Sequence, residues 1–250
     1  MSDVIGQLNG KRALVTGASR GIGAGIALAL AQKGADVAIT YERSADRAAE
    51  VVRSIERQGR RGFAIQADSA DPAAIKRAVD EAASQLGGLD ILVNNAGIAR
   101  YAEVADAALE DIDALLNVNV RGVVLASQAA IPHLQSGGRI VSIGSCLAER
   151  VPFGGSTLYS MTKSALLAFN RGLSRELGPR NITVNLVQPG PIDTDMNPAS
   201  GDHAEVIRNL TSLGHYGETA DIAEAVAFLA SPAAKFINGS VLTVDGGANA

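Results

Sequence analysis

Residues 13–23 read Ala-Leu-Val-Thr-Gly-Ala-Ser-Arg-Gly-Ile-Gly, an apolar run of strand formers cut off by glycine. An Ala/Leu-rich stretch, Ile22–Lys33, follows at once and is closed by Gly34, the residue that best accepts a left-handed helix end. A strand that turns on glycine straight into a helix strongly limits the fold, because the helix must cross back over the sheet and deliver the next strand parallel to the first. The chain repeats that unit. Strands are predicted at Ala13–Thr16, Val37–Tyr41, Gly62–Gln66, Leu89–Asn94, Arg139–Ile143, Ile182–Gln188 and Ser240–Val244. Helices are predicted at Ala45–Gln58, Asp71–Leu86 with Asp71 as cap and Pro72 at its first position, Leu109–Leu134, Thr157–Leu177 and Asp221–Ala230. Alternation of this kind predicts an α/β fold. The expectation is a single-domain, Rossmann-like doubly wound sheet over residues 1–250, with about seven mostly parallel strands and helices on both faces. Strands such as Leu89-Asp90-Ile91-Leu92-Val93 are apolar without alternation, as in a sheet covered on both sides.

The pattern breaks only between Pro189 and Thr219, where three Pro and four Gly interrupt it. Irregular stretches of that length in a compact domain are usually functional, so a substrate lid is expected near 190–217. The chain carries 22 Lys+Arg against 26 Asp+Glu, a net charge of −4, which is not the basic footprint of a nucleic-acid binder. One Cys and three scattered His supply neither an intramolecular disulfide nor a metal-ligand spacing. The beginning, Met-Ser-Asp-Val-Ile-Gly-Gln-Leu, has no apolar signal core, and no run reaches the roughly 18 apolar residues of a membrane span. The expectation is a cytoplasmic protein acting on a small molecule, with neither nucleic acid nor membrane as partner.

The glycine turn sits where a doubly wound sheet takes up a dinucleotide pyrophosphate: glycine lets backbone approach phosphate, and the helix N-terminus offers free N–H groups. Its spacing, G-x-x-x-G-x-G, differs from the G-x-G-x-x-G fingerprint, and no Gly-Lys-Ser/Thr follows to make a P-loop. Together with Asn94-Asn95-Ala96-Gly97, Tyr159-Ser160-Met161-Thr162-Lys163 and Pro189-Gly190, each in order after a strand or opening a helix, the turn resembles that of the short-chain dehydrogenase/reductase family. The resemblance runs from Thr16 to Val244-Asp245-Gly246-Gly247, and 3-oxoacyl-carrier-protein reductases are the members it most suggests.

Tyr159 and Lys163 stand four apart, neighbours on a helix. A pair so spaced is common on any amphipathic helix; the resemblance makes it catalytic. A free phenol titrates near pH 10, and an adjacent ammonium favours its anion, so Lys163 is expected to tune Tyr159 downward as the acid/base. The resemblance also implies Ser145 as the hydroxyl that holds the substrate oxygen. Ser145 lies fourteen residues before Tyr159, whereas the family commonly spaces thirteen, which falls on Cys146; a thiol is the weaker donor. Asn119 corresponds to the family's helix-kink asparagine, with Asn117 as competitor.

For the cofactor, the resemblance implies Gly17, Ser19, Arg20, Gly21, Ile22 and Gly23 at the pyrophosphate, Asp68 and Ser69 at the adenine, and Asn95, Ala96 and Gly97 at the ribose. Pro189, Gly190, Ile192 and Thr194 would surround the nicotinamide, within reach of Tyr159 and Lys163. The second strand ends Ile39-Thr40-Tyr41-Glu42-Arg43-Ser44 with no acid directly after Ile39. Arg20 and Arg43 offer two guanidinium groups, Ser44 a hydroxyl and Tyr41 a wall for a 2′-phosphate. NADP(H) is therefore expected, with NAD(H) less so, although Glu42 dissents. The expected reaction interconverts a ketone and a secondary alcohol. Alternatives are an NAD-dependent sugar or polyol dehydrogenase and a non-catalytic nucleotide-binding regulator. By the same resemblance a homotetramer is expected, assembled through the helices near 109–131 and 157–177 and the last strand.

Overall fold

The computed structural model describes residues 7–201 and 203–250. Its strands are β1 (Arg12–Val15), β2 (Asp36–Tyr41), β3 (Gly62–Gln66), β4 (Leu89–Asn94), β5 (Leu134–Ile143), β6 (Thr183–Pro189) and β7 (Val241–Val244). They form one sheet in the order β3-β2-β1-β4-β5-β6-β7, every neighbouring pair parallel. The chain winds outward from β1 to β3 and then returns to place β4 on the other side of β1. The strand order thus reverses between β1 and β4, which opens a crevice at their C-terminal ends.

The helices are α1 (Gly21–Gln32), α2 (Ala45–Arg57), α3 (Pro72–Leu86), α4 (Leu109–Leu116), α5 (Gly122–Ala130), α6 (Thr157–Leu177), α7 (Ala204–Arg208) and α8 (Thr219–Ala230). Two apolar layers follow from strands that are hydrophobic on both faces. Ile26, Leu30, Ile55 and Val226 of α1, α2 and α8 pack on one face with Val15, Ile39 and Val141. On the other, Val79, Leu86, Leu173 and Leu177 of α3 and α6 pack with Leu14, Leu92 and Ile140. Leu92 and Ile140 are fully buried, each contributing about 1.5–3 kcal/mol by leaving water. Asp71 caps α3 by accepting from the Ala73 amide, Pro72 fills its first position, and Gly87 ends it at φ 78°.

Asp36 marks the far end of the sheet from the crevice. Burial pushes its carboxyl up, but the Arg61 amide and side chain and the Arg60 guanidinium outweigh this and hold it below the usual carboxylate range. The acid at the start of β2 is thus structural.

Element boundaries fall within two residues of the sequence reading, with two corrections: the fifth strand, expected from Arg139, begins at Leu134, and one expected helix is divided. The helix expected over Leu109–Leu134 is α4, then a π turn at Asn117–Arg121, then α5, which ends at Ala130. Leu134 instead opens β5 opposite Leu89. Pro132, inside the connecting turn, has no amide to continue the helix. The 190–217 segment is not featureless either: α7 lies within it, and Ile192 bridges to Gly217.

Candidate active site

A cleft of about 560 Å³ runs along the C-terminal ends of the strands, and every residue expected to touch cofactor or substrate lines it except Asn119. Its nucleotide end is fixed by backbone packing. Gly17 has φ +63°, and a Cβ there would lie 2.8 Å from the Ala96 Cα, so the turn can press on the segment after β4 only because no side chain intervenes. The Gly17 amide donates to the Thr40 hydroxyl at 3.0 Å and the Ala18 amide to the Thr40 carbonyl at 2.9 Å. The Thr16 hydroxyl accepts from the Asn95 and Ala96 amides, both at 3.0 Å. Asn95 returns its side-chain N–H groups to the Thr16 and Gly17 carbonyls. Helix α1 starts at Gly21 with no side-chain cap, which leaves its first-turn N–H groups for an anion in the cleft. A dinucleotide pyrophosphate fits that cradle. Thr194 arrives from the other side, its methyl 3.6 Å from where a Gly21 Cβ would be.

The reactive end gathers residues from β4, the π turn, β5 and α6. Lys163 is 5% exposed, and its ammonium donates to the Ile143 carbonyl at 3.0 Å. Burial lowers its pKa to about 8. Its Nζ stands 5.8 Å from the Tyr159 ring centre. Burial of the Tyr159 hydroxyl, with a further push from Tyr101, raises the phenol above its ordinary value, while the polar Ser145 works in the opposite direction. The expected downward tuning by Lys163 is not found in this arrangement: burial dominates the phenol, and the ammonium donates to a carbonyl.

Ser145 lies two residues past β5, accepts from the Leu147 amide at 3.1 Å and lines the cleft together with Tyr159. Cys146, the competing position, is buried, and burial together with Asp245 pushes its thiol up to about 11, which keeps it protonated and unreactive. Asn119 is fully buried within the π turn. Its side chain accepts from the Ile98 amide and donates to the Ile98 carbonyl and the Thr162 hydroxyl. It sits one layer behind the cleft yet close to it: a Cβ on Gly97 would lie 3.4 Å from both the Asn119 Oδ1 and the Lys163 Nζ. Asn117 has no such engagement among the described contacts.

At the adenosine end Arg20, Tyr41, Arg43, Ser44, Asp68 and Ser69 share the cleft. Both arginines are already paired. The Arg43 Nε donates to Glu42 at 2.8 Å, and the Arg20 Nη1 donates to Asp195 at 3.0 Å. Asp195 also takes the Arg47 Nη1 at 2.6 Å, so one exposed carboxylate ties the 190–217 segment to the glycine turn and to α2. Sequence reasoning missed Asp195 and Arg47, which lie 148 residues apart. It also missed Tyr101, whose ring centre is 6.0 Å from that of Tyr159, as well as Phe153 and Met196, which line the same end.

Comparison with known proteins agrees with this geometry. A family model described as enoyl-(acyl carrier protein) reductase matches residues 17–249. A solved short chain dehydrogenase from Burkholderia cenocepacia J2315 in complex with NADP is 61% identical, covers 98% of this chain and 100% of its own, and superposes with a TM-score of 0.97. The cyclic-di-GMP-binding biofilm dispersal mediator protein of Escherichia coli K12 is 41% identical over 97% of this chain and 98% of its own. The 3-oxoacyl-[acyl-carrier-protein] reductase FabG of Staphylococcus aureus Mu50 is 42% identical over 95% and 97%.

Proposed function

This chain belongs to the short-chain dehydrogenase/reductase family, and on that premise we propose that it interconverts a ketone and a secondary alcohol with NADP(H), Tyr159 serving as the acid/base. The observation that carries the reading is the gathering of Ser145, Tyr159 and the buried Lys163 at one end of a cleft whose other end is an uncapped helix N-terminus. Bound NADPH supplies a hydride to the carbonyl carbon. The carbonyl oxygen lies between the Ser145 and Tyr159 hydroxyls, which hold it by hydrogen bonds as negative charge develops there. Tyr159 gives that oxygen its proton, and a phenol raised by burial keeps that proton available across the neutral range. Lys163 and Asn119 stand on the inner side of Tyr159, where its proton is replaced. In the oxidative direction Tyr159 accepts the proton instead.

Replacement of Tyr159 by Phe removes the proton donor and leaves the ring. Turnover should fall by about 10²–10⁴-fold with little change in cofactor affinity. Wild-type turnover in this variant refutes the mechanism. Lys163, lowered to about 8, carries its charge below that pH, so reduction should hold to about pH 8 and decline above it.

Preference for NADP(H) is supported by the neighbouring structure in complex with NADP and by Arg20, Arg43 and Ser44 around the end of β2 with Thr40 in place of an acid. A higher kcat/KM with NADH than with NADPH, or an unchanged NADPH KM in Arg43→Ala, overturns it. We place the enzyme in the cytoplasm, as one domain with residues 190–217 as its lid. We assemble it as a homotetramer through the exposed Leu109, Val124, Met161 and Phe236; a monomer mass by light scattering refutes the assembly. A second reading, a nucleotide-binding regulator, takes its support from the name of the Escherichia coli relative. Nucleotide binding without turnover on any ketone would favour it.

A further inference from the structure

The substrate end of the cleft is walled by side chains that no cofactor contact requires. Tyr101 is 60% exposed, and its ring is tilted 52° to that of Tyr159 at 6.0 Å. Phe153, on a second loop, lines the same cleft. The two loops are laced together, the Ala102 amide donating to the Gly155 carbonyl at 2.9 Å, and the Ser156 hydroxyl fixes the second by donating to the Phe153 carbonyl at 2.9 Å. These bonds hold together the two loops that carry the rings. Met196, Ile207 and Leu210 of the lid line the same cleft.

Of Arg100, Arg150 and Arg208 on the loops around the mouth, Arg100 alone lines the cleft. Arg100 is held by Asp111 at 3.1 Å and by the Ala99 carbonyl. Arg150 donates to the Ala248 carbonyl at 2.8 Å and Arg208 to the Ala199 carbonyl at 3.2 Å. Among the described residues of the loops bordering the mouth, each arginine is therefore engaged. The polar side chains there are occupied as well: Asn249 donates to the Cys146 carbonyl at 2.7 Å, and Asn197 accepts from the Tyr216 hydroxyl at 3.4 Å. A carboxylate or phosphate brought here would lose its hydration without a partner, and a polyol would leave most of its hydroxyls unsatisfied.

We propose that the substrate of this site is an uncharged ketone whose carbonyl adjoins an aromatic ring or another flat apolar ring, stacked against Tyr101 and Phe153 with its oxygen at Ser145 and Tyr159. This rests on the ketone–alcohol reading above. The balanced step is ketone plus NADPH plus a proton giving alcohol plus NADP⁺: the carbonyl π bond breaks, a C–H bond forms from the hydride, and an O–H bond forms from the Tyr159 proton.

The test compares 1-tetralone with 1-decalone, the same bicyclic ketone without the aromatic ring, alongside pyruvate and the N-acetylcysteamine thioester of acetoacetate. NADPH oxidation gives kcat/KM for each. Calorimetry on Tyr159→Phe with NADP⁺ gives binding without turnover. Stacking predicts that tetralone exceeds decalone by about two- to tenfold for each ring engaged and exceeds pyruvate by more. It also predicts that Tyr101→Leu and Phe153→Leu together bring the tetralone/decalone ratio to one. Pyruvate or the thioester as best substrate overturns the proposal, as does a ratio the two Leu variants leave unchanged. Should no ketone turn over, the function reading fails separately. The calorimetric preference then decides this inference, and tetralone binding no tighter than decalone overturns it.

Discussion

The two ends of the cleft are made of different material. The nucleotide end is backbone against backbone: Gly17 against Ala96, Thr40 clasping the glycine turn, Thr16 clasping the segment after β4. The substrate end is made of side chains that stand in solvent, with Tyr101 60% and Met196 56% exposed. Backbone surfaces serve a ligand that never changes. Exposed side chains on loops can be exchanged at little cost to the fold, so specificity resides there.

The largest break in this contrast should come from Gly17→Val. A branched side chain at φ +63°, in space already held by Ala96, must displace the turn. Loss of about 3 kcal/mol or more is expected, with NADPH affinity lost together with stability in a joint thermal-shift and titration experiment. Retained cofactor binding would mean that the backbone packing is not what builds the nucleotide end.

Lys163 sits at the junction of the two ends. Its folded pKa of about 8 lies below the ordinary lysine value of 10.5, so burying the charge costs stability in full below pH 8. The cost fades between 8 and 10.5, as the folded state sheds its proton first, and is gone above that window. Lys163→Met should therefore raise unfolding free energy at pH 7 by about 1–3 kcal/mol while abolishing turnover. The gain should vanish at pH 10.5. Denaturant melts at the two pH values decide it; equal effects at both would show that the buried charge is not the cause.

The smallest effect should come from the strap between the two ends. Asp195 is exposed, and its ion pairs with Arg20 and Arg47 are of the weak surface kind. Asp195→Asn should leave the melting temperature unchanged and alter the NADPH KM by about two- to fivefold at low salt. The change should disappear in high salt; a salt-independent change would point to packing instead.

The same division explains what could be read from the sequence. Strand ends and the glycine turn were legible because continuous apolar runs and glycine are local signals. The helix around 109–134 was not: a one-residue π insertion leaves hydrophobic spacing almost intact, and Leu134 is as apolar in β5 as it would be in a helix. Five-residue α7 is too short for a periodic signature. Within the site, Tyr159 and Lys163 were correctly made neighbours by their spacing of four. Spacing could not say that the Lys163 ammonium would be aimed at Ile143, nor that burial would dominate the phenol and raise it. The Asp195–Arg47 pair and the approach of Tyr101 to Tyr159 are tertiary facts with no local trace.

Thr40 has a consequence for redesign. Its position is the one an acid would occupy to grip a ribose hydroxyl, yet its hydroxyl is fully buried work for the fold, receiving the Gly17 amide in a side chain only 3% exposed. Cofactor preference and the integrity of the phosphate cradle are therefore written on the same residue. A lineage, or an engineer, changing this enzyme's cofactor cannot begin at Thr40 without loosening the turn that every nicotinamide dinucleotide needs. The permissive route runs through the solvent-facing Glu42, Arg43 and Ser44, where preference can drift while the cradle stays whole.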